Sequence, residues 1–169
     1  VAAGSYHDPD AHLGLAHYLE HMLFLGNEKY PEANSLQKFV DLNGGAWNAY
    51  TAPDHTNYFF QIKADKLAQA LDNFSQYFIS PKLDQTYADK ERNAVNSEWS
   101  MGRTHDGWII QRVSGLTGNP KNPAARISVG NLETLQDTED SKLQDALWSF
   151  YNRYYSANLM KLVLVSNEP

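Results

Sequence analysis

The chain has 169 residues, of which 42% are hydrophobic and 20% charged, with no cysteine and a formal net charge of −6. That length is one domain's worth and buries a real core. The acidic balance argues against nucleic acid as a partner, the lack of an apolar run of about 18 residues argues against a membrane-spanning helix, and the lack of cysteine excludes disulfides and thiolate metal ligands.

In chain order the sequence predicts an α+β fold, a mostly antiparallel sheet packed against several helices. Residues 1–6 are short and could complete a strand. Asp8-Pro9-Asp10 reads as a turn and N-cap before a helix from about Ala11 to Phe24, which Gly26 stops. Asn34 or Ser35 caps a second helix with Leu36, Phe39 and Val40 on its apolar side, ended by Gly44-Gly45. Ala46 to Tyr50 and Thr56 to Lys63 read as strands around a turn at Pro53-Asp54. Asp65 starts a helix on which Leu67, Leu71, Phe74 and Phe78 recur at helical spacing until Pro81. The longest helix is expected from Asp84 to about Arg103, with another over His105 to Leu116. Asn119-Pro120 and Asn122-Pro123 mark a loop, because a residue before proline is pushed out of the helical region. Ser141 and Gln144 have the form of a capping box for a helix to about Tyr155, and Leu159 to Val165 reads as a buried strand.

The first predicted helix carries His17-Tyr18-Leu19-Glu20-His21, an H-x-x-E-H string. His17 and His21 are one turn apart and point the same way, and Glu20 lies on that side. Two neutral imidazoles suit Zn²⁺, a catalytic zinc site takes a third protein ligand and leaves a position for water, and a neighbouring carboxylate can act as general base. The competing reading is a helix whose histidines face solvent or ordinary partners. Glu91 and Glu98, seven apart on the longest helix, share one face and could supply one ligand and one carboxylate that orients a histidine. Two solvated glutamates are the plain alternative. The remaining histidines, His7, His12, His55 and His105, fall outside the motif's spacing and read as structural or surface residues. The four Trp, ten Tyr and seven Phe point to core and interface packing, ahead of an aromatic substrate chamber. In a trimmed domain some of these rings are expected to form an exposed apolar patch.

Several strings together resemble one family. They are His12-Leu13-Gly14-Leu15-Ala16-His17-Tyr18-Leu19-Glu20-His21-Met22, Asn43-Gly44-Gly45-Ala46-Trp47-Asn48-Ala49, Glu91-Arg92-Asn93-Ala94-Val95-Asn96-Ser97-Glu98, Gly130-Asn131-Leu132-Glu133-Thr134-Leu135 and Tyr154-Tyr155-Ser156-Ala157-Asn158-Leu159-Met160. In this order they resemble the pitrilysin/insulysin family of zinc metalloendopeptidases, the inverzincins. The resemblance implies His17, His21 and Glu98 as zinc ligands, Glu20 as the base and Glu91 as the outer carboxylate. It implies that the strand at Asn48 and Ala49 binds substrate peptide, which suits an open sheet edge with unpaired N–H and C=O groups. It further implies that residues 1–169 are a truncated first domain of a longer, multi-domain peptidase, acting on peptides and small polypeptides together with the rest of that chain. The setting it implies is the bacterial periplasm, with the cytosol as alternative. A non-catalytic member serving as a peptide-binding or structural subunit is the second reading, although such chains usually lack the metal motif.

Overall fold

A computed structural model of the protein describes residues 1–167. Among them are six α-helices and one two-stranded antiparallel sheet, the expected α+β mixture. Helix α1 (Leu15–Leu23) lies at the centre. Leu15, Ala16, Tyr18, Leu19, Met22 and Leu23 are all fully buried, so this helix is apolar almost all round and meets protein on every side but the histidine stripe. Packed on it are α4 (Ala88–Gly102), α6 (Leu143–Tyr154), and the hairpin of β1 (Ala46–Thr51) and β2 (Thr56–Gln61). Helices α2 (Ser35–Leu42) and α3 (Leu67–Ser75) pack together beside β1. Helix α5 (Asp106–Thr117) follows α4 and buries none of its residues.

The hairpin register pairs Ala46 with Gln61 and Thr51 with Thr56. Beyond it, the Ala52 N–H donates to the His55 carbonyl at 2.8 Å. Alternation from that bonded pair turns the N–H and C=O of Trp47, Ala49 and Thr51 away from β2, toward the free edge of β1. The aromatic rings are mostly core. Phe24, Tyr58, Phe74, Tyr77, Phe78 and Tyr155 form a chain of edge and stacked contacts, and the Tyr58 and Tyr155 hydroxyls bond at 2.7 Å.

Four expectations are corrected. The first helix begins at Leu15 and not at Ala11, because Gly14 takes a left-handed φ of 91° and the Asp8 carboxylate receives the N–H groups of Gly14 and Ala16 at 2.7 and 2.8 Å. Residues 1–6 do not complete a strand. Val1 exchanges two bonds with Thr56, but the chain then turns, and Ser5–His7 form one 3₁₀ turn held to the carbonyls of Ala52 and Pro53. The capping box at Ser141 and Gln144 does not form: Ser141 Oγ bonds His12, Gln144 reaches the Leu83 carbonyl, and Lys142 is the N-cap of α6. Leu159 to Val165 is neither strand nor buried. Ala2 pairs with the Leu159 carbonyl at 2.9 Å, yet no backbone bond holds residues 161–165 among the described residues, and Val165 is 89% exposed. An apolar run becomes a strand only where a neighbour completes its ladder.

Candidate metal centre and active site

Helix α1 presents His17 and His21 on its one uncovered stripe, with their rings 4.8 Å apart and nearly perpendicular. Helix α4 faces them with Glu91, Val95 and Glu98, a helical stripe at spacings of four and three. Val95 is fully buried against α1 and fixes the two glutamates on either side of it. The Nε2 atoms of His17 and His21 lie 3.3 Å apart. Glu98 completes the group: Oε2 is 3.3 Å from His17 Nε2, and Oε1 is 3.6 Å from His21 Nε2. All three donor atoms fall within 4.8 Å of one another, so one ion can reach them together.

The far nitrogens decide what these atoms offer. His17 Nδ1 lies 2.9 Å from the Val129 carbonyl, which only accepts, so Nδ1 carries the proton and Nε2 turns a lone pair to the centre. His21 Nδ1 lies 3.3 Å from Glu91 Oε2, which fixes that ring in the same sense. Two imidazole lone pairs and a carboxylate then converge with more acceptors than protons. That donor set fits a divalent cation such as zinc, and nothing in it resembles a Cys-rich structural site. The same crowding shows in the ionisation of the side chains. Burial pushes His21 down, but the Glu91 and Glu98 carboxylates outweigh it and hold the imidazole up at about 9. The imidazoles of His17 and His21 hold Glu98 well below the usual carboxylate range, against the opposing effect of burial.

Glu20 lies close enough to His17, His21 and Glu98 for their charges to act on it. It is only 6% exposed, and burial raises its pKa, while a bond from Thr51 and the nearby imidazoles pull the other way. The Thr51 hydroxyl donates to Glu20 Oε2 at 2.6 Å, and Oε1 has no hydrogen-bond partner in the protein among the described residues. Asn48 and Ala49 lie on β1, just before Thr51. Asn48 is exposed, Ala49 is half-buried, and the Ala49 N–H at the free edge is bonded by the Asn48 side-chain oxygen at 2.8 Å.

With this geometry in place, comparison with known proteins decides the family. The sequence profile of the insulinase family, peptidase family M16, matches residues 1–121. The chain belongs to that family. Over 169 residues it is 48% identical to Protease 3 of Escherichia coli K12, covering 100% of this chain and 18% of that protein. It is 40% identical to the insulin-degrading enzyme of Mus musculus over 171 residues, 99% of this chain and 17% of the relative. A crystal structure of pitrilysin superposes with a TM-score of 0.96 at 48% identity, covering 100% of this chain and 18% of that one. The chain thus spans about a fifth of the length of these relatives. The resemblance read from the motifs is borne out, and so is the α+β fold.

The M16 strings acquire structural reasons. The Gly130 string is not at the metal centre itself. Gly14 and Gly130 both take positive φ, 91° and 85°, and their backbones touch, so that a Cβ on Gly14 would collide with Gly130. This contact lays the 129–135 loop on the start of α1 and aims the Val129 carbonyl at His17. Asn131 caps the loop by accepting the N–H groups of Glu133 and Thr134 at 2.9 Å, and Asn96 of α4 takes the Leu132 N–H at 3.3 Å. Two functional groups escaped sequence reasoning. The Val129 carbonyl is a backbone atom and carries no side-chain signal, although the neighbouring Gly130 marked a special backbone position. Thr51 belongs to no motif and carries no signal of its own beyond its place at the end of β1. His12, read as structural or surface, is buried with Nε2 bonded to Ser141 Oγ at 2.8 Å.

Proposed function

We propose that this chain carries the metal and base of a zinc-dependent endopeptidase, with His17, His21 and Glu98 as ligands, Glu91 orienting His21, and Glu20 as general base. The observation that carries the reading is the convergence of two oriented imidazole nitrogens and one carboxylate beside a buried, singly hydrogen-bonded glutamate. Bound there, zinc would supply a Lewis acid and a water of lowered pKa. Glu20 Oε1, free of protein partners, takes a proton from the attacking water and returns it to the leaving amine. Its raised pKa suits a group that must both accept and give a proton near neutrality. The free edge of β1, at Asn48 and Ala49, takes an extended peptide as an added strand, which gives affinity through main-chain bonds with little demand on sequence.

The substrates are peptides and small polypeptides, as the name of the mouse relative illustrates for that protein. Further domains of a longer chain complete the enzyme, which fits the 18% coverage of Protease 3. A periplasmic setting is the favoured compartment, supported by bacterial relatives; among the described residues no helix is long and apolar enough to cross a membrane. Metal analysis and a peptide-cleavage assay on the longer protein test the assignment. Glu98→Ala should lose zinc, while Glu20→Gln should keep zinc and lose cleavage. A Glu98→Ala variant that retains full zinc sinks the ligand set, and an active Glu20→Gln sinks the base. A protein that binds zinc and peptide but cleaves nothing would be the peptide-binding subunit instead.

A further inference from the structure

Thr51 stands at the junction of two parts of this site. Its hydroxyl donates to Glu20 Oε2 at 2.6 Å, and among the described residues this is the only hydrogen bond that Glu20's side chain makes with the protein. Its backbone lies on the free edge of β1, two residues beyond Ala49 and in phase with it. Thr51 also borders a cavity of about 840 Å³ between the β1 end and helices α4 and α5, lined by Trp99, Trp108 and Val129 among others. A buried glutamate with three rotatable side-chain bonds and one hydrogen-bond partner takes its orientation from that partner. We propose that Thr51 is a positioning residue for the base. It locks Glu20 in the rotamer that leaves Oε1 free for the water, and it ties that rotamer to the strand on which the peptide is laid. Register of the substrate strand and aim of the base are then set by one residue.

The inference rests on Glu20 being the base, so the test includes Glu20→Gln. In the longer, zinc-loaded protein, Thr51→Val removes the donor with nearly the same shape. Its kcat should fall about ten- to a hundredfold, the scale of a lost hydrogen bond to a charged group, with KM and zinc content within about twofold. Thr51→Ser should restore kcat to within about threefold of the parent. A crystal structure of metal-free Thr51→Val should show the Glu20 carboxylate turned out of its present rotamer. The proposal is overturned if Thr51→Val keeps its kcat while Glu20→Gln is dead. It is equally overturned if Thr51→Val loses zinc, if Ser fails to rescue, or if Glu20 stays in place without the hydroxyl. An active Glu20→Gln instead removes the base assignment beneath it, a result that the Thr51 variants alone cannot produce.

Discussion

At His21, under the proposed ligand assignment, a proton and a metal ion would compete for one nitrogen. In the metal-free protein the imidazole sits at about 9, above its ordinary 6.5, because the carboxylates of Glu91 and Glu98 outweigh burial. A group raised on folding stabilises the fold fully below its ordinary pKa and loses that contribution as the pH climbs through the folded value. Asp8 acts in the same direction. Burial pushes its carboxyl up to about 7 against the N–H bonds of Ala16 and Gly14, so its contribution fades between 3.8 and about 7. The metal-free chain should therefore become less stable from about pH 5.5 to about pH 8.5, seen as a falling denaturant midpoint, and zinc should reverse that trend. Zinc uptake at pH 7 should release about one proton per site, measured by calorimetry in two buffers of different ionisation heat. Uptake with no proton release at that pH contradicts the account. Glu91→Gln weakens the hold on the His21 ring and should lower zinc affinity about 10–100-fold without abolishing binding.

Among the elements, α1 and α4 divide the labour of the site, and the 129–135 loop joins them. Helix α1 gives both histidines and Glu20, because H-x-x-E-H spacing puts three groups on adjacent positions of one turn. Helix α4 gives both glutamates at the two ends of a stripe centred on buried Val95. The contact of Gly14 with Gly130 is the weak point of this arrangement, since neither backbone has room for a side chain and both use conformations that L residues avoid. Gly14→Ala should cost at least about 2 kcal/mol in unfolding free energy. It should also reduce zinc affinity, because the Val129 carbonyl would retreat from His17. Equilibrium denaturation and zinc titration of the variant measure both effects; an alanine accepted with neither change would show that the close approach is dispensable.

For the whole molecule, the notable surface is apolar. On α5, Trp108, Ile109, Ile110, Val113 and Leu116 are exposed, and Leu162, Val163, Leu164 and Val165 are exposed after α6. These exposed residues are mainly aliphatic, while most of the clustered aromatics are packed inside. Exposed apolar area of this kind favours association. The strongest influences on Glu20, His21 and Glu98 come from burial, carboxylates, imidazoles and Thr51, with no lysine or arginine among them to stabilise a developing oxyanion. Residues 1–169 alone should therefore bind zinc in a Glu98-dependent manner yet cleave peptides far more slowly than the longer protein. Equal kcat/KM for the two would refute this. The isolated chain should also self-associate at micromolar concentration in sedimentation experiments, and Val163→Lys with Val165→Lys should reduce that association without lowering stability.

The sequence by itself determined the helices, the hairpin and the pairing of two histidines with a glutamate, because these follow from spacings of three, four and two along the chain. It marked Glu91 and Glu98 as partners on one face, since seven residues make two helical turns. It left undecided whether the two helices meet, and the family resemblance alone supplied that expectation. Only the tertiary structure brought Glu98 to within 3.3 Å of His17 across eighty-one positions of chain, aimed a main-chain carbonyl from Val129 at that ring, and set Thr51 against Glu20. The same limit explains Leu159 to Val165, where apolar composition promised a strand that no neighbour completes. Periodicity is a property of one segment, whereas a metal centre, a sheet and an oriented base are each made of contacts between segments, and those are fixed by packing.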